Sequence, residues 1–291
     1  SMVEYFGSWR APFFIAAVPG LVLALFIFFV KEPQRGAAET VKVSQTPVEQ
    51  PIRKVFAIRT FWWLVLAGLA FNFATYACNA FMVPLLMRYH AVPLVEASIA
   101  TGVIVGLTGL IGLTLGGWVA DKIHQRFARG RLIFAAVSML IATALTGYAL
   151  LAGRIEVGVF VAVFSIGWLF SYNFYTCVYT AIQDVVEPRL RATAMALFFA
   201  GLYLLGGGMG TVVVGLLSDH FAESAMLAAG ASEMSEVFRA EGLHGAMYLI
   251  PASLLLTMVF LFQASRTFCH DSKRMTDGMT DSAAAAEPAL A

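Results

Sequence analysis

The sequence predicts an all-α membrane protein of seven transmembrane helices, the first standing apart and the other six forming a 3+3 inverted repeat. Three observations lead there. Of 291 residues, 59% are hydrophobic and 13% charged, where a soluble domain carries about 25% Asp, Glu, Lys and Arg. Seven windows lack all four of those residues, and each approaches or exceeds the ~20 residues that cross a ~30 Å hydrocarbon core. A Gly-x-x-x-Asp spacing then recurs at the ends of the third and sixth windows, 98 residues apart.

The first window runs from Ala11 to Val30 and closes at Lys31-Glu32-Pro33. It lacks the basic flank and cleavage signature of a signal peptide, and six more spans follow it. These are Thr60 to Met87, Ala97 to Ala120, Leu132 to Gly153, Val157 to Ile182, Ala192 to Ser218 and Leu243 to Ser265. All are continuous apolar runs, which excludes the alternating ten-residue segments of a membrane barrel. Pro19, Pro84 and Pro251 fall inside such runs, a placement membrane helices tolerate when neighbours satisfy the freed carbonyl.

Between the spans, residues 31–59 form a polar linker with Pro47 and Pro51. The segment after Asp219 is rich in Ala, Ser and Glu through Glu241, with room for a short surface helix, and residues 267–291 are small and polar enough to be disordered. Arg10, Arg88, Arg154 and Arg239 lie in one alternate set of connections, and the other fifteen basic residues lie in the opposite set. This bias places the fifteen in the cytoplasm, so the amino end is outside and the carboxyl end inside.

A net charge of +1 provides no basic field for nucleic acid. Three unpaired-looking cysteines give neither a disulfide framework nor a zinc site, and no metal or cofactor is expected. The five histidines sit at or beyond helix ends without an acid–base motif, which argues against an enzyme. Absence of a lysine from the seventh span, and of an extracellular disulfide pair, argues against a retinal protein or receptor.

The repeat rests on Gly117 to Asp121 and Gly215 to Asp219, at helix exits on opposite membrane faces, an arrangement found in secondary transporters. Glycines accompany it: Gly102, Gly106, Gly109, Gly112 and Gly116 in the third span, and Gly206, Gly207, Gly208 and Gly210 in the sixth. Such faces let membrane helices approach closely. An Asp at a helix carboxyl end opposes the macrodipole and needs a basic partner or another helix's amino end. Asp121 has Lys122, Arg126, Arg129 and Arg131 nearby; it is either a solvated loop charge or part of a packed cluster.

No charge lies deep in any span, so the polar interior is neutral. Asn72, Thr75, Tyr76 and Asn79 share one helical face of the second span, and Tyr172, Thr176, Tyr179 and Gln183, with Asn173 beside them, mark the fifth. They either bond across a static helix interface or line a cavity for an amphipathic organic ligand.

The segment Glu187-Pro188-Arg189-Leu190-Arg191-Ala192-Thr193, the run Val214 to Asp219, and Gly117-Trp118-Val119-Ala120-Asp121-Lys122 resemble the major facilitator superfamily. Ser8-Trp9-Arg10-Ala11-Pro12 and Val30-Lys31-Glu32-Pro33 add similarity to its bacterial spinster-like branch. The resemblance implies correspondence to helices six to twelve of twelve. Residues 1–30 would be the last helix of an otherwise missing amino-terminal domain, 31–59 the interdomain linker and 60–266 the carboxyl-terminal domain, in a bacterial inner membrane. It further implies alternating access by an amphipathic solute such as a lysolipid, with proton coupling in the missing half and poor activity without it. Gly117, Asp121, Lys122, Arg129, Arg131, Arg191 and Asp219 would gate. Five residues inserted before Arg129 leave open which arginine answers the family signature. The alternative is a membrane interaction or scaffold module, or a half-transporter that needs a partner chain.

Overall fold

The computed structural model describes residues 6–31, 49–153 and 156–286, without the side chains of 281–286. Arg154, whose side of the membrane was expected to be outer, and linker positions 32–48 lie outside the described residues. The chain divides into two units, Ser1–Val43 and Ser44–Ala291.

The first unit holds α1 (Ala11–Ile27), 17 residues with Pro at its start and no buried residue. It ends three residues before the charge-free window does. Phe28 to Val30 leave the helix because the Phe29 and Val30 amides bond carbonyls only three residues back. At 1.5 Å per residue α1 spans about 26 Å, shorter than the other spans.

Among the described residues of the second unit, six helices are long and apolar enough to cross a membrane. A short helix, α2 (Pro51–Phe56), precedes them. The end of the expected linker is therefore folded. Val55 is fully buried, and the Trp62 indole N–H donates to the Phe56 carbonyl at 2.9 Å. There follow α3 (Arg59–Arg88), α4 (Leu94–Arg126), α5 (Gly130–Leu151), α6 (Val157–Val185) and α7 (Pro188–Ala228). The sixth crossing is made by α8 (Glu236–Met247) and α9 (Leu249–Ala286), separated by a break at Tyr248. α9 packs on both α3 and α5, α7 packs on α3 and α8, and α4 packs on α6. At the centre α3 and α6 meet through Phe71 and Phe174, stacked at 4.1 Å. Fully buried Phe61, Phe160, Phe164, Trp168 and Phe198 extend that core.

One expectation at helix ends is corrected. Neither Asp121 nor Asp219 sits at a helix exit: α4 continues to Arg126 and α7 to Ala228. α9 runs on through residues 267–286, to Ala286. Asp271 of α9 explains much of this. Its Oδ2 accepts the Thr60 amide at 2.8 Å and the Thr60 hydroxyl at 2.7 Å. The first-turn amide of α3, which has no partner within its own helix, is thus capped by a different helix.

The inverted repeat is visible in the packing. A Cβ on Gly109 would lie 3.1 Å from the Tyr172 ring, and one on Gly207 would lie 3.1 Å from the Tyr76 ring. On Gly112 it would meet the Leu169 carbonyl oxygen at 2.6 Å, and on Gly210 the Phe73 carbonyl oxygen at 2.6 Å. Each pair of glycines is 98 residues apart, and each pair of contacted residues 96 apart. Helices α3–α4–α5 and α6–α7–α9 are therefore two copies of one three-helix unit. Gly116 packs likewise, against Asn173, and Gly206 against Leu69 and Asn72. Gly102 and Gly106 do not join the expected packing face, since a Cβ on either would meet nothing within 4 Å.

Candidate functional site

The first helix of each copy carries one polar stripe, and its members go to different uses. Asn72 is buried and its amide nitrogen donates to the Leu202 carbonyl of α7 at 2.7 Å. Asn173 is buried too, donating to the Ser138 hydroxyl of α5 at 2.8 Å, with its carbonyl oxygen filling the space a side chain at Gly116 would need. The Thr75 hydroxyl donates to the Phe71 carbonyl within α3 at 3.0 Å, and that of Thr176 to the Asn173 carbonyl at 3.2 Å. Asn79 and Gln183 are exposed.

The tyrosines converge. Tyr172, at the break between Val157–Ser171 and Asn173–Val185, donates its hydroxyl to the Val105 carbonyl at 2.7 Å. Tyr175 lies edge-on to Phe71 at 5.1 Å, 6.2 Å from Tyr172 and 5.6 Å from Tyr179. Tyr76, Tyr203 and Thr75 lie within electrostatic range of it. Tyr179 in turn meets Phe198 and Phe199 edge-on, and Phe199 stacks on Tyr203 at 5.9 Å. The outcome is a face of rings and hydroxyls shared by α3, α6 and α7. Such a surface packs against hydrocarbon and still offers hydrogen bonds. Tyr175 and Tyr203 were not singled out from sequence. Tyr175 could have been, standing three residues after Tyr172 and four before Tyr179; Tyr203, in the run Gly201-Leu202-Tyr203-Leu204-Leu205, gives no such signal.

A second constellation lies at the α4–α5 turn. Arg131, 9% exposed, donates to Asp121 at 2.9 Å and to Asp184 of α6 at 2.9 Å. This decides which arginine Asp121 pairs with. Gly130 makes the turn tight enough for it, since a Cβ there would lie 2.6 Å from the Ile123 side chain. Arg129 is exposed, Lys122 lies 3.6 Å over the Trp118 ring, and a Cβ on Gly117 would meet the Thr176 methyl at 3.6 Å. Arg191 donates its Nε to the Gln183 carbonyl at 3.1 Å and bears electrostatically on Asp184, as does His124. Asp184 was passed over because its charge marked the end of the apolar window. At the opposite end of the bundle, Asp219 joins Arg88, Glu223 and Arg239 around a groove of about 710 Å³. Glu236 there faces Arg88 at 3.6 Å and Arg239 at 3.3 Å.

Six spans, an inverted repeat and an acid–arginine–acid cluster at one membrane end are a combination that comparison with known proteins can place. The model of the Major Facilitator Superfamily matches residues 1–211. The chain belongs to the Major Facilitator Superfamily. Among curated superfamily members it is 28% identical over 229 residues to an MFS-type efflux pump of Mycolicibacterium smegmatis, covering 74% of this chain and 49% of that protein. It is 26% identical over 281 residues to the sphingosine-1-phosphate transporter SPNS2 of Danio rerio, covering 91% and 54%. The chain thus spans about half the length of these relatives. Among solved structures, a bacterial homolog of the human lysosomal transporter Spinster, inward-facing and unoccupied, matches with TM-score 0.66 and 28% identity over 90% of this chain and 60% of that one. The superfamily member described here is therefore a multi-pass membrane protein similar to spinster-like transporters.

Proposed function

We propose that this chain supplies the carboxyl-terminal six-helix half, and the helix before it, of a secondary active transporter that moves an amphipathic or hydrophobic organic solute by alternating access. The observation that carries the reading is the tyrosine face, because both copies of the repeat contribute to it. Its rings suit an acyl or aromatic body and its hydroxyls suit a polar head, so a lysolipid fits its chemistry. The named activity of the Danio rerio relative supports the same class.

On this reading the face needs an opposing six-helix half, in the same polypeptide or from a partner chain, and the 291 residues alone do not transport. Gly102, Gly106 and Gly208, which meet nothing within 4 Å, leave close-approach surfaces available for it. Proton coupling belongs to that other half. The Asp121–Arg131–Asp184 cluster is a gating contact at the cytoplasmic end in a bacterial inner membrane, with α1 entering from outside.

The test is flux of a fluorescent lysolipid into proteoliposomes holding the complete two-half transporter. Replacing Tyr175 or Tyr203 by leucine should lower flux at least about tenfold, the loss of one or two hydrogen bonds to substrate, with membrane insertion unchanged. Flux that falls only in step with folded protein would mean that the tyrosines merely hold helices together. Single-cysteine labelling at position 122 from inside but not outside sealed cells checks the orientation.

A further inference from the structure

Helices α4 and α7 share a feature that neither the tyrosine face nor the charge cluster uses. Each contains a stretch of π-helix, Val103–Leu107 in α4 and Gly201–Gly207 in α7. The two begin 98 residues apart, the separation that relates Asp121 to Asp219 and the packed glycines to each other. A wide turn loosens the backbone ladder. The Thr108 amide is shared between the Val103 and Val105 carbonyls, and the Gly208 amide between those of Tyr203 and Leu205. In hydrocarbon no water supplements such shared bonds, so side-chain donors do: the Thr108 hydroxyl gives one to the Ile104 carbonyl within α4.

Both turns receive one from the first helix of the neighbouring copy. Tyr172 of α6 donates its hydroxyl to Val105 at 2.7 Å, and Asn72 of α3 donates its amide to Leu202 at 2.7 Å. Glycines admit the donors: a Cβ on Gly109 would crowd the Tyr172 hydroxyl at 3.3 Å, and one on Gly207 the Asn72 amide nitrogen at 3.2 Å. On the other side the turns are unbraced. Gly102 and Gly106 at the first, and Gly208 at the second, face open space. Their helices are also the least enclosed of the six spans, 28% and 33% buried in their apolar windows against 44% for each of the others.

We propose that Asn72 and Tyr172 are paired latches, each setting the bend of one wide turn, and that α4 and α7 flex at residues 103–107 and 201–207 when the transporter changes state. The flexing rests on the transporter reading; the latching does not. Two latches at repeat-related turns let each copy bend about its own hinge. Tyr172 belongs to the tyrosine face and Asn72 lies one turn from Tyr76, so a solute on that face sits beside both latches. They act as positioning residues, through the backbone of α4 and α7.

Amide hydrogen exchange on the 291-residue chain in lipid nanodiscs tests it. Tyr172→Phe keeps the ring and removes the donor; Asn72→Leu keeps the volume and removes the other. Tyr172→Phe should speed exchange about tenfold across residues 103–110, and Asn72→Leu across 201–208, each leaving the other turn at the wild-type rate; a lost bond of this kind is worth about that factor. Restoring a donor with Asn72→His should return residues 201–208 toward the wild-type rate. Exchange that rises evenly along whole helices together with a lowered Tm identifies general packing, and no local rise means no latch; either result overturns the proposal. Flux by the complete transporter separates the two readings. Turns that respond in a protein without flux leave the latches standing and sink the transporter reading, whereas flux with unresponsive turns sinks the latches alone.

Discussion

Alanine at the repeat-related glycines should divide them by sign. On Gly112 or Gly210 a Cβ would lie 2.6 Å from a backbone carbonyl oxygen, Leu169 or Phe73, against an ordinary contact of at least 3.4 Å. The shortfall is about 0.8 Å. A backbone oxygen cannot rotate aside as a side chain can, so α4 must part from α6, or α7 from α3, by much of that distance. Overpacking of this kind costs about 1–3 kcal/mol. At Gly102 and Gly106 the same methyl enters open space, and the higher helix propensity of alanine contributes up to about 1 kcal/mol in its favour. That propensity gain is common to all four sites and cancels in the comparison. Contact-site variants should therefore be less stable than open-site variants by about 1–3 kcal/mol, or roughly 5- to 150-fold in the folding equilibrium. Reversible unfolding in mixed micelles, followed by tryptophan fluorescence, measures it. The two contact sites should also agree with each other within about 1 kcal/mol, because their distances are equal. If all four variants are equally stable, the close approaches do not exist and the repeat-related packing fails with them.

The charge cluster and the cap make further commitments. Arg131→Met should destabilise the bundle by about 3 kcal/mol, the low end for breaking a buried pair, because Asp121 and Asp184 retain some solvent access. Asp121→Asn should cost under about 1 kcal/mol, since that carboxylate is 65% exposed; equal losses in the two variants would show that Arg131 is not the centre of the cluster. Asp271→Ala removes the acceptor from the Thr60 amide and should cost about 1 kcal/mol, as other lost caps do. Limited proteolysis should then cut α9 beyond residue 266 faster, and an unchanged cleavage rate would mean that the cap does not hold the end of α9.

The six long helices could be read from the sequence because hydrocarbon demands long charge-free runs, but such runs measure the membrane's thickness rather than the helix. Asp219, His220 and Glu223 end the apolar window without ending α7, since a charged helix is stable once it has left the hydrocarbon. The same blindness hid the end of α9: the bond between Asp271 and Thr60 joins positions 211 residues apart, and no local pattern announces it. The stripes identified a helical face but not its neighbour. Side chains of one stripe can still divide, as Tyr172 turned to Val105 of α4 while Asn173 beside it turned to Ser138 of α5. The choice among Arg126, Arg129 and Arg131 depended on the tight turn after Arg126, and that turn rests on Gly130 meeting Ile123.

The repeat also explains why its two ends behave differently. The offsets that superimpose Asp121 on Asp219 bring Asp184 onto Arg88, so an acid in one copy answers a base in the other. With acids at both positions, the first end is held together by a cation between them, and Arg131, buried at the head of α5, meets that need. With an acid and a base at the corresponding positions, the second end has no pair of like charges to bridge; Arg88, 45% exposed, faces Glu236 at 3.6 Å, and the charges spread around an open groove. Exposed pairs of that kind contribute about 0–1 kcal/mol each, while a buried arginine between two carboxylates resists separation far more strongly. One backbone plan used twice in opposite senses thus acquires a firm end and a loose end from a single reversal of charge.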